Sequence, residues 1–267
     1  MISGVSSGIG LSLARYLNGE EIWGISRRAP TVDLGIRFSY CNVTDWLAVS
    51  RVASELQKTW DSLDAIIHCA ATQGAIGPAM EVDPEKWLLS LSANVDGAYY
   101  VMRAFFEQLV LSRKKGRAKI VLFSGGGAAK PRPNFSAYGA AKTALVRLTE
   151  TLAEEWAKLP VDINIVAPGA INTAMTREVV GIGPEKAGEI EFKRAVQQLQ
   201  QGGDSVERLH ELVRFLLSAE SNGLSGRFLS AQWDSLEALR SARDHISKSD
   251  AFTLRRTVLW GKGRILS

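Results

Sequence analysis

The sequence predicts an α/β protein built on a doubly wound parallel sheet, and three observations carry that prediction. Short, mostly apolar stretches at 63–69, 119–124 and 161–167 suit strands buried on both faces. Segments with helical patterning run between them, so strand and helix signals alternate as in βαβ units. A glycine cluster, Gly4-x-x-x-Gly8-x-Gly10, stands where the first strand would pass into the first helix.

Taken in order, Met1 and Ile2 lead straight into Ser3-Gly4-Val5-Ser6-Ser7-Gly8-Ile9-Gly10. Leu11, Leu13, Ala14 and Leu17 then mark a helix. Residues 21–26 and 36–41 read as strands, 46–60 as a helix and 63–69 as a strand. Turn signals at 74–78 precede one long helix over 84–111. Residues 119–124 form a buried strand, 138–159 a helix, 161–167 a strand and 225–230 the last strand. The stretch 170–203 is polar, helix-prone and loop-like around Gly181-Ile182-Gly183-Pro184, as suits a lid over a site. Residues 234–267 form a C-terminal extension.

The 267 residues can bury a full core, and the whole chain is read as one domain with no internal repeat. An apolar fraction of 46% and a charged fraction of 22% are ordinary for a globular protein. No apolar run reaches membrane-spanning length and no leader opens the chain, so a cytoplasmic protein without membrane association is expected. The net charge of +4 is mild. The one basic run, Arg113-Lys114-Lys115-Gly116-Arg117, falls between a helix and a strand, which suits a solvated connection rather than a nucleic-acid surface. Cys41 and Cys69 sit at strand ends away from any ligand-spaced histidine, and are expected to be reduced, buried thiols with no metal.

The chemistry-bearing pattern is Tyr138-Gly139-Ala140-Ala141-Lys142. Residues four apart share a helix face, so phenol and ammonium point the same way. A cation beside a phenol lowers its pKa, and such a phenol can exchange a proton with an alcohol or carbonyl. The same spacing also arises by chance on solvated helices, so it needs support. The glycine cluster supplies some: glycines tighten a turn and let backbone N–H groups and a helix N-terminus approach a pyrophosphate.

Ser3-Gly4-x-x-x-Gly8-Ile9-Gly10, Asn94, Tyr138-x-x-x-Lys142 and Pro168-Gly169 occur in one order, and together they resemble the short-chain dehydrogenase/reductase family from residue 3 to about residue 235. The resemblance implies a Rossmann-type domain that moves hydride between a carbonyl and an alcohol with NAD or NADP, as a homodimer or homotetramer. It implies Tyr138 as acid/base, Lys142 as the residue that lowers its pKa and binds the nicotinamide ribose, and Asn94 as holder of a proton-relay water. By the same resemblance Gly4, Ser6, Ser7, Gly8, Ile9 and Gly10 hold the pyrophosphate side. Asn42 and Val43 lie by the adenine, Ala70 and Ala71 by the adenosine side, and Pro168, Gly169, Ile171 and Thr173 line the nicotinamide.

The chain departs from the family in three respects. The serine that orients the substrate oxygen is replaced by Gly125, leaving Ser124, Ser136 or water as its stand-in. His68-Cys69-Ala70-Ala71 replaces Asn-Asn-Ala-Gly, with His68 read as structural. Only Met1 and Ile2 precede the glycine loop, so most of the first, central strand is expected to be missing and the natural chain to begin upstream.

For the nucleotide, Ile25-Ser26-Arg27-Arg28 offers no acid to a ribose 2′-hydroxyl, whereas Arg27, with Arg28, can grip a 2′-phosphate; NADP(H) is expected over NAD(H). Trp87, Phe135 and Met175 are read as packing near the pocket. The expected activity is reduction of a small polar carbonyl compound or oxidation of the alcohol. The alternative is a silent nucleotide-binding protein acting as sensor or assembly partner, with Gly125 as its best argument.

Overall fold

The computed structural model describes residues 1–112 and 116–256. Among the described residues seven strands run β1 (Ile2–Ser3), β2 (Trp23–Ser26), β3 (Arg37–Tyr40), β4 (Ala65–His68), β5 (Ala118–Phe123), β6 (Val161–Ala167) and β7 (Phe228–Ser230). They form one parallel sheet in the order β3-β2-β1-β4-β5-β6-β7. This is the doubly wound arrangement the sequence predicts.

β1 holds the centre with two residues, Ile2 and Ser3, in register with Gly24 and Ile25 on one side and Ile67 and His68 on the other. The other strands are mostly shorter than their apolar stretches. Cys41, Cys69 and Ser124 lie one residue past their strands, each still donating its N–H to the neighbouring strand, to the carbonyls of Ser26, Ser3 and Val166.

Helices α1 (Gly8–Tyr16), α2 (Trp46–Gln57), α3 (Pro84–Leu91), α4 (Gly97–Leu111) and α5 (Ser136–Glu155) follow the strands. One apolar layer sets α2, α4 and α5 against the sheet through Val49, Leu56, Phe105, Leu109 and Leu145. The other sets α1 and α9 (Val206–Leu217) against the opposite face through Leu13, Leu212 and Leu216.

The single helix expected over 84–111 is instead two helices joined by a π-helical segment, Ser92–Asp96. Asn94 explains the change. Its Nδ2 donates to the carbonyl of Ser90, the acceptor an α-helix would assign to its own backbone N–H, and the N–H of Gly97 reaches back to Ser92. Such single π turns recur at functional sites.

The stretch read as helix-prone and loop-like is mostly helical: α6 (Ala174–Ile182), α7 (Pro184–Ala187) and α8 (Glu189–Gln201). Gly183 and Gly188, both at positive φ, separate the three helices. Val179, Ala187 and Ala195 pack on Ile76, Phe135 and Tyr138 as a small core of their own.

The described part of the extension, α10 (Leu236–Ser241), α11 (Arg243–Ser247) and the chain to Arg256, seats Leu239 and Ile246 in the second layer. Of the basic run, Arg113, Lys114 and Lys115 lie outside the described residues, as do residues 257–267 of the extension. Arg117 pairs with buried Asp162 at 2.7 Å rather than standing in solvent.

Candidate active site

β1 and β4 lie side by side at the centre of the sheet, and their C-terminal ends open the crevice where doubly wound proteins bind ligands. The glycines are needed for close approach. A Cβ on Gly4 would stand 2.8 Å from the nitrogen of Ala70, and one on Gly10 would stand 2.3 Å from the oxygen of Gly4. Ser7, the N-cap of α1, is exposed and makes no capping bond, while Ser6 and Ile9 are half-buried beside it. The N-terminus of α1 therefore keeps its positive end open to an anion.

Ala70 and Ala71 are half-buried at the end of β4. Across the crevice Pro168 is buried, Gly169 exposed and Ile171 half-buried. Thr173 caps α6, its hydroxyl accepting from the N–H of Met175 at 3.2 Å, and its methyl carbon would lie 3.5 Å from a Cβ on Gly8. The glycine loop and the segment after β6 thus close on one cleft. Past β2, Arg27 and Arg28 are exposed on a turn pinned by the Ser26 hydroxyl, which donates to the Arg28 carbonyl at 2.6 Å. Asn42 is exposed after β3 and its side chain accepts from Thr44, while Val43 beside it is buried. These groups fit a dinucleotide laid across the strand ends.

At the other end of the cleft α5 presents Tyr138 and Lys142, both buried. Lys142 Nζ lies 5.5 Å from the Tyr138 ring centroid and donates to the Phe123 carbonyl at 3.0 Å. Burial lowers the Lys142 ammonium to about 8. The lowered phenol expected from the sequence is not what this geometry gives. Burial raises the Tyr138 pKa, and the cation that pulls against it is Arg132, 5.9 Å from the ring. Water is a far better host for a phenolate than this apolar pocket, so desolvation outweighs either cation.

The structure also explains Gly125. A Cβ there would lie 2.3 Å from the Tyr138 hydroxyl, so no serine could occupy that position with the tyrosine seated as it is. Ser124 is buried and its Oγ has no partner among the described residues. Ser136 differs: its hydroxyl already accepts from Trp87 Nε1 at 3.0 Å.

Asn94 is fully buried, its Nδ2 bound to the carbonyls of Thr72 and Ser90 and its Oδ1 unpartnered among the described residues. His68 Nδ1 shares a hydrogen bond with the Ser3 hydroxyl at 3.0 Å, while Nε2 has no partner among the described residues. Burial and then the charge of Lys142 lower its pKa to about 3, so it stands neutral. Buried polar atoms are normally paired. Three that lack partners, on β4, in the π segment and at the end of β5, mark a region built for something other than stability.

Cys41 and Cys69 are free thiols, with Cys69 only half-buried; burial raises both, Cys41 to about 11. Among the described residues no three His, Cys, Asp or Glu side chains gather as a metal site, and no helix is long and apolar enough to cross a membrane.

Sequence reasoning missed Arg132 and its partners. The guanidinium lies 3.6 Å from the centroid of the Phe135 ring, and it pairs with Glu191 of α8 at 2.7 Å and with the Gln73 amide oxygen at 3.3 Å. The one available signal was local: Pro131 and Pro133 flank Arg132 and restrict its backbone.

Fold and site together define a nucleotide-dependent oxidoreductase of the Rossmann type. Residues 4–231 match the family model described as enoyl-(acyl carrier protein) reductase. Dehydrogenase/reductase SDR family member 4 of Homo sapiens is 27% identical over 238 residues, covering 85% of this chain and 83% of that protein. Galactitol 2-dehydrogenase (L-tagatose-forming) of Cereibacter sphaeroides is 34% identical over 187 residues, covering 66% of this chain and 72% of its own. Aldohexose dehydrogenase of Thermoplasma acidophilum superposes with a TM-score of 0.75 over 86% of this chain and 90% of that one, at 23% identity, a likeness of fold. The chain belongs to the short-chain dehydrogenase/reductase family, enzymes that act on CH–OH groups.

Proposed function

We propose that this protein is an NADP(H)-dependent oxidoreductase that interconverts a carbonyl and an alcohol, with Tyr138 as the acid/base. The observation that carries the reading is Tyr138 and Lys142 buried together on the first turns of α5, beside a loop whose Gly125 leaves room only for the tyrosine hydroxyl. NADPH, when bound, supplies a hydride to the carbonyl carbon.

The chain's own residues do the rest. Tyr138 gives its proton to the carbonyl oxygen in reduction and takes it back in oxidation. A phenol held high by burial suits the donor role, and Arg132 and Lys142 are the cations that stabilise it once the proton has left. Lys142 holds the ribose. Ser124, with its unpartnered hydroxyl, donates to the substrate oxygen as negative charge develops there. Asn94 Oδ1 fixes a water through which Tyr138 is reprotonated.

Exposed Arg27 and Arg28, with no acid beside them on the turn after β2, support a 2′-phosphate partner. We read the protein as one cytoplasmic domain. Self-association as a homodimer or homotetramer has support in the exposed Leu47, Leu88, Leu89 and Leu111 on α2 to α4.

The test is oxidation of NADPH against a panel of carbonyl compounds. The expected result is turnover that falls by about 10²- to 10⁴-fold in Tyr138→Phe, the usual worth of a positioned proton donor, with NADPH bound more tightly than NADH. Turnover that survives the substitution refutes the role of Tyr138, and tighter NADH binding refutes the cofactor preference.

A further inference from the structure

Resting on the reading of Tyr138 as the acid/base, we propose that the substrate carries a carboxylate a short chain away from its carbonyl, that Arg132 receives it, and that the lid residue Glu191 occupies that position until the substrate displaces it.

The argument starts from how Arg132 is held. Flanking prolines restrict its backbone, and its side chain is 18% exposed. The guanidinium stacks on the fully buried Phe135 ring and is 5.9 Å from the ring of Tyr138. Nη1 donates to Gln73 Oε1 at 3.3 Å, and Gln73 is itself fixed by a 2.6 Å bond from its Nε2 to the Met175 carbonyl. Among the described residues Nη2 has no hydrogen bond. Arginine fixed by a stacked ring and a bound amide is preorganised for planar, bidentate recognition of an oxyanion. An ordinary surface arginine spends entropy to reach such a geometry.

The second step is charge. Glu191 Oε2 sits on Arg132 at 2.7 Å, and its other oxygen, Oε1, is held by Arg194 at 2.8 Å. One carboxylate therefore serves two guanidinium groups. Glu178, the other acid on this side, reaches the Gln73 amide rather than a cation, and burial raises its carboxyl. Arg132 and Arg194 share that one carboxylate, so a second carboxylate can take Arg132 without stripping Glu191 of a partner. When a substrate carboxylate takes Arg132, Glu191 keeps Arg194 and no charge is left alone. The exchange conserves ion pairs, so it has little electrostatic barrier, and it loosens α8 from the loop before α5 as the substrate enters. The carboxylate that Arg132 already holds shows the ligand chemistry the site accepts.

Two arms test this. In the kinetic arm, short oxo acids are compared with their methyl esters. The wild-type protein is expected to favour the acids. Arg132→Met is expected to raise KM for the acids by about 10- to 100-fold, the range for a hydrogen bond to a charged group, and KM for the esters by less than about threefold, while kcat falls alike for both because Tyr138 loses a facing cation. Arg132→Lys should recover part of the preference, and Glu191→Gln should lower KM for the acids severalfold. In the binding arm, which needs no turnover, succinate is expected to raise the melting temperature of the wild type and of Tyr138→Phe but not of Arg132→Met, and succinamide of none.

Equal rises in KM for acids and esters in Arg132→Met would show a latch between lid and loop only and overturn the proposal. So would succinate protection that persists in that variant, or none in the wild type. Failure of turnover with every carbonyl compound, alongside Arg132-dependent succinate binding, would instead overturn the reading of Tyr138 and leave the carboxylate site standing.

Discussion

Helix α5 buries ionisable groups near both of its ends and treats them in opposite ways. Tyr138 near its start is 7% exposed and Glu150 near its end 8%, so burial alone does not tell them apart. Around Glu150 every oxygen is engaged. Oε1 accepts from the N–H of Leu254 at 2.6 Å, and Oε2 accepts from Arg255 at 3.1 Å and from Arg147. Arg147 also reaches the Leu254 carbonyl, so the carboxylate clamps the C-terminal extension to the helix. Around Tyr138 and Lys142 the neighbours Ser124, Asn94 and His68 each hold a buried polar atom without a partner among the described residues. Satisfied burial stabilises a fold, whereas unsatisfied burial costs stability and persists where a ligand completes it. The same helix thus carries a structural end and a chemical end, separable by experiment.

The largest effect that sharpens this contrast concerns Ser124. If its hydroxyl meets the developing oxyanion, Ser124→Ala should lower kcat by about 10²- to 10³-fold, as loss of one such donor does elsewhere, with little change in melting temperature. Ser136→Ala should cost much less, because that hydroxyl already accepts from Trp87. Steady-state kinetics on the two variants decide between them, and the reverse order would make Ser136 the donor.

At the structural end the expectation inverts. Glu150→Ala leaves the Leu254 N–H without its acceptor and takes one of several acceptors from each of two arginines. Arg147 and Arg255 are about half exposed and regain water, so the cost should be moderate, about 1–3 kcal/mol in a urea titration. Values of kcat and KM should stay within a factor of two. A loss of activity at unchanged stability would erase the distinction between the two ends.

Much of this fold was legible before any coordinates. The strand over Val161–Ala167 matches its reading to the residue, because Val161, Ile163 and Ile165 all face one buried layer. Tyr138 and Lys142 were legible because helical spacing alone sets them on one face. The π segment at Asn94 was not, since apolar periodicity does not reveal a side-chain amide competing for the Ser90 carbonyl. Nor was the ion pair of Arg132 with Glu191, 59 residues apart. Over 170–203 the helix-prone character was legible but the loop-like reading around the glycines was not, since Gly183 and Gly188 only break one helical stretch into three. Local rules find what neighbours in sequence impose. What the site adds is long-range, and it is made of polar groups whose partners lie elsewhere in the chain.

The smallest expected effect tests His68, whose identity set this chain apart from its family pattern. Burial, then Lys142, lower its pKa to about 3, against an ordinary value near 6.5 in the unfolded chain. Between those values the unfolded chain binds a proton that the folded protein refuses. Its contribution to stability is therefore complete above about pH 6.5 and drains away as pH falls toward 3, by up to about 1.4 kcal/mol for each pH unit. His68→Asn removes that titration. The variant should lose some stability at pH 7, where the hydrogen bond to the Ser3 hydroxyl is disturbed, yet its stability should fall less steeply than the wild type's between pH 6 and 4. Urea midpoints at pH 7, 5.5 and 4.5 give the two slopes. Parallel slopes would mean that the imidazole already meets water, and the unpartnered Nε2 would then no longer count among the groups that separate the chemical end of α5 from the structural one.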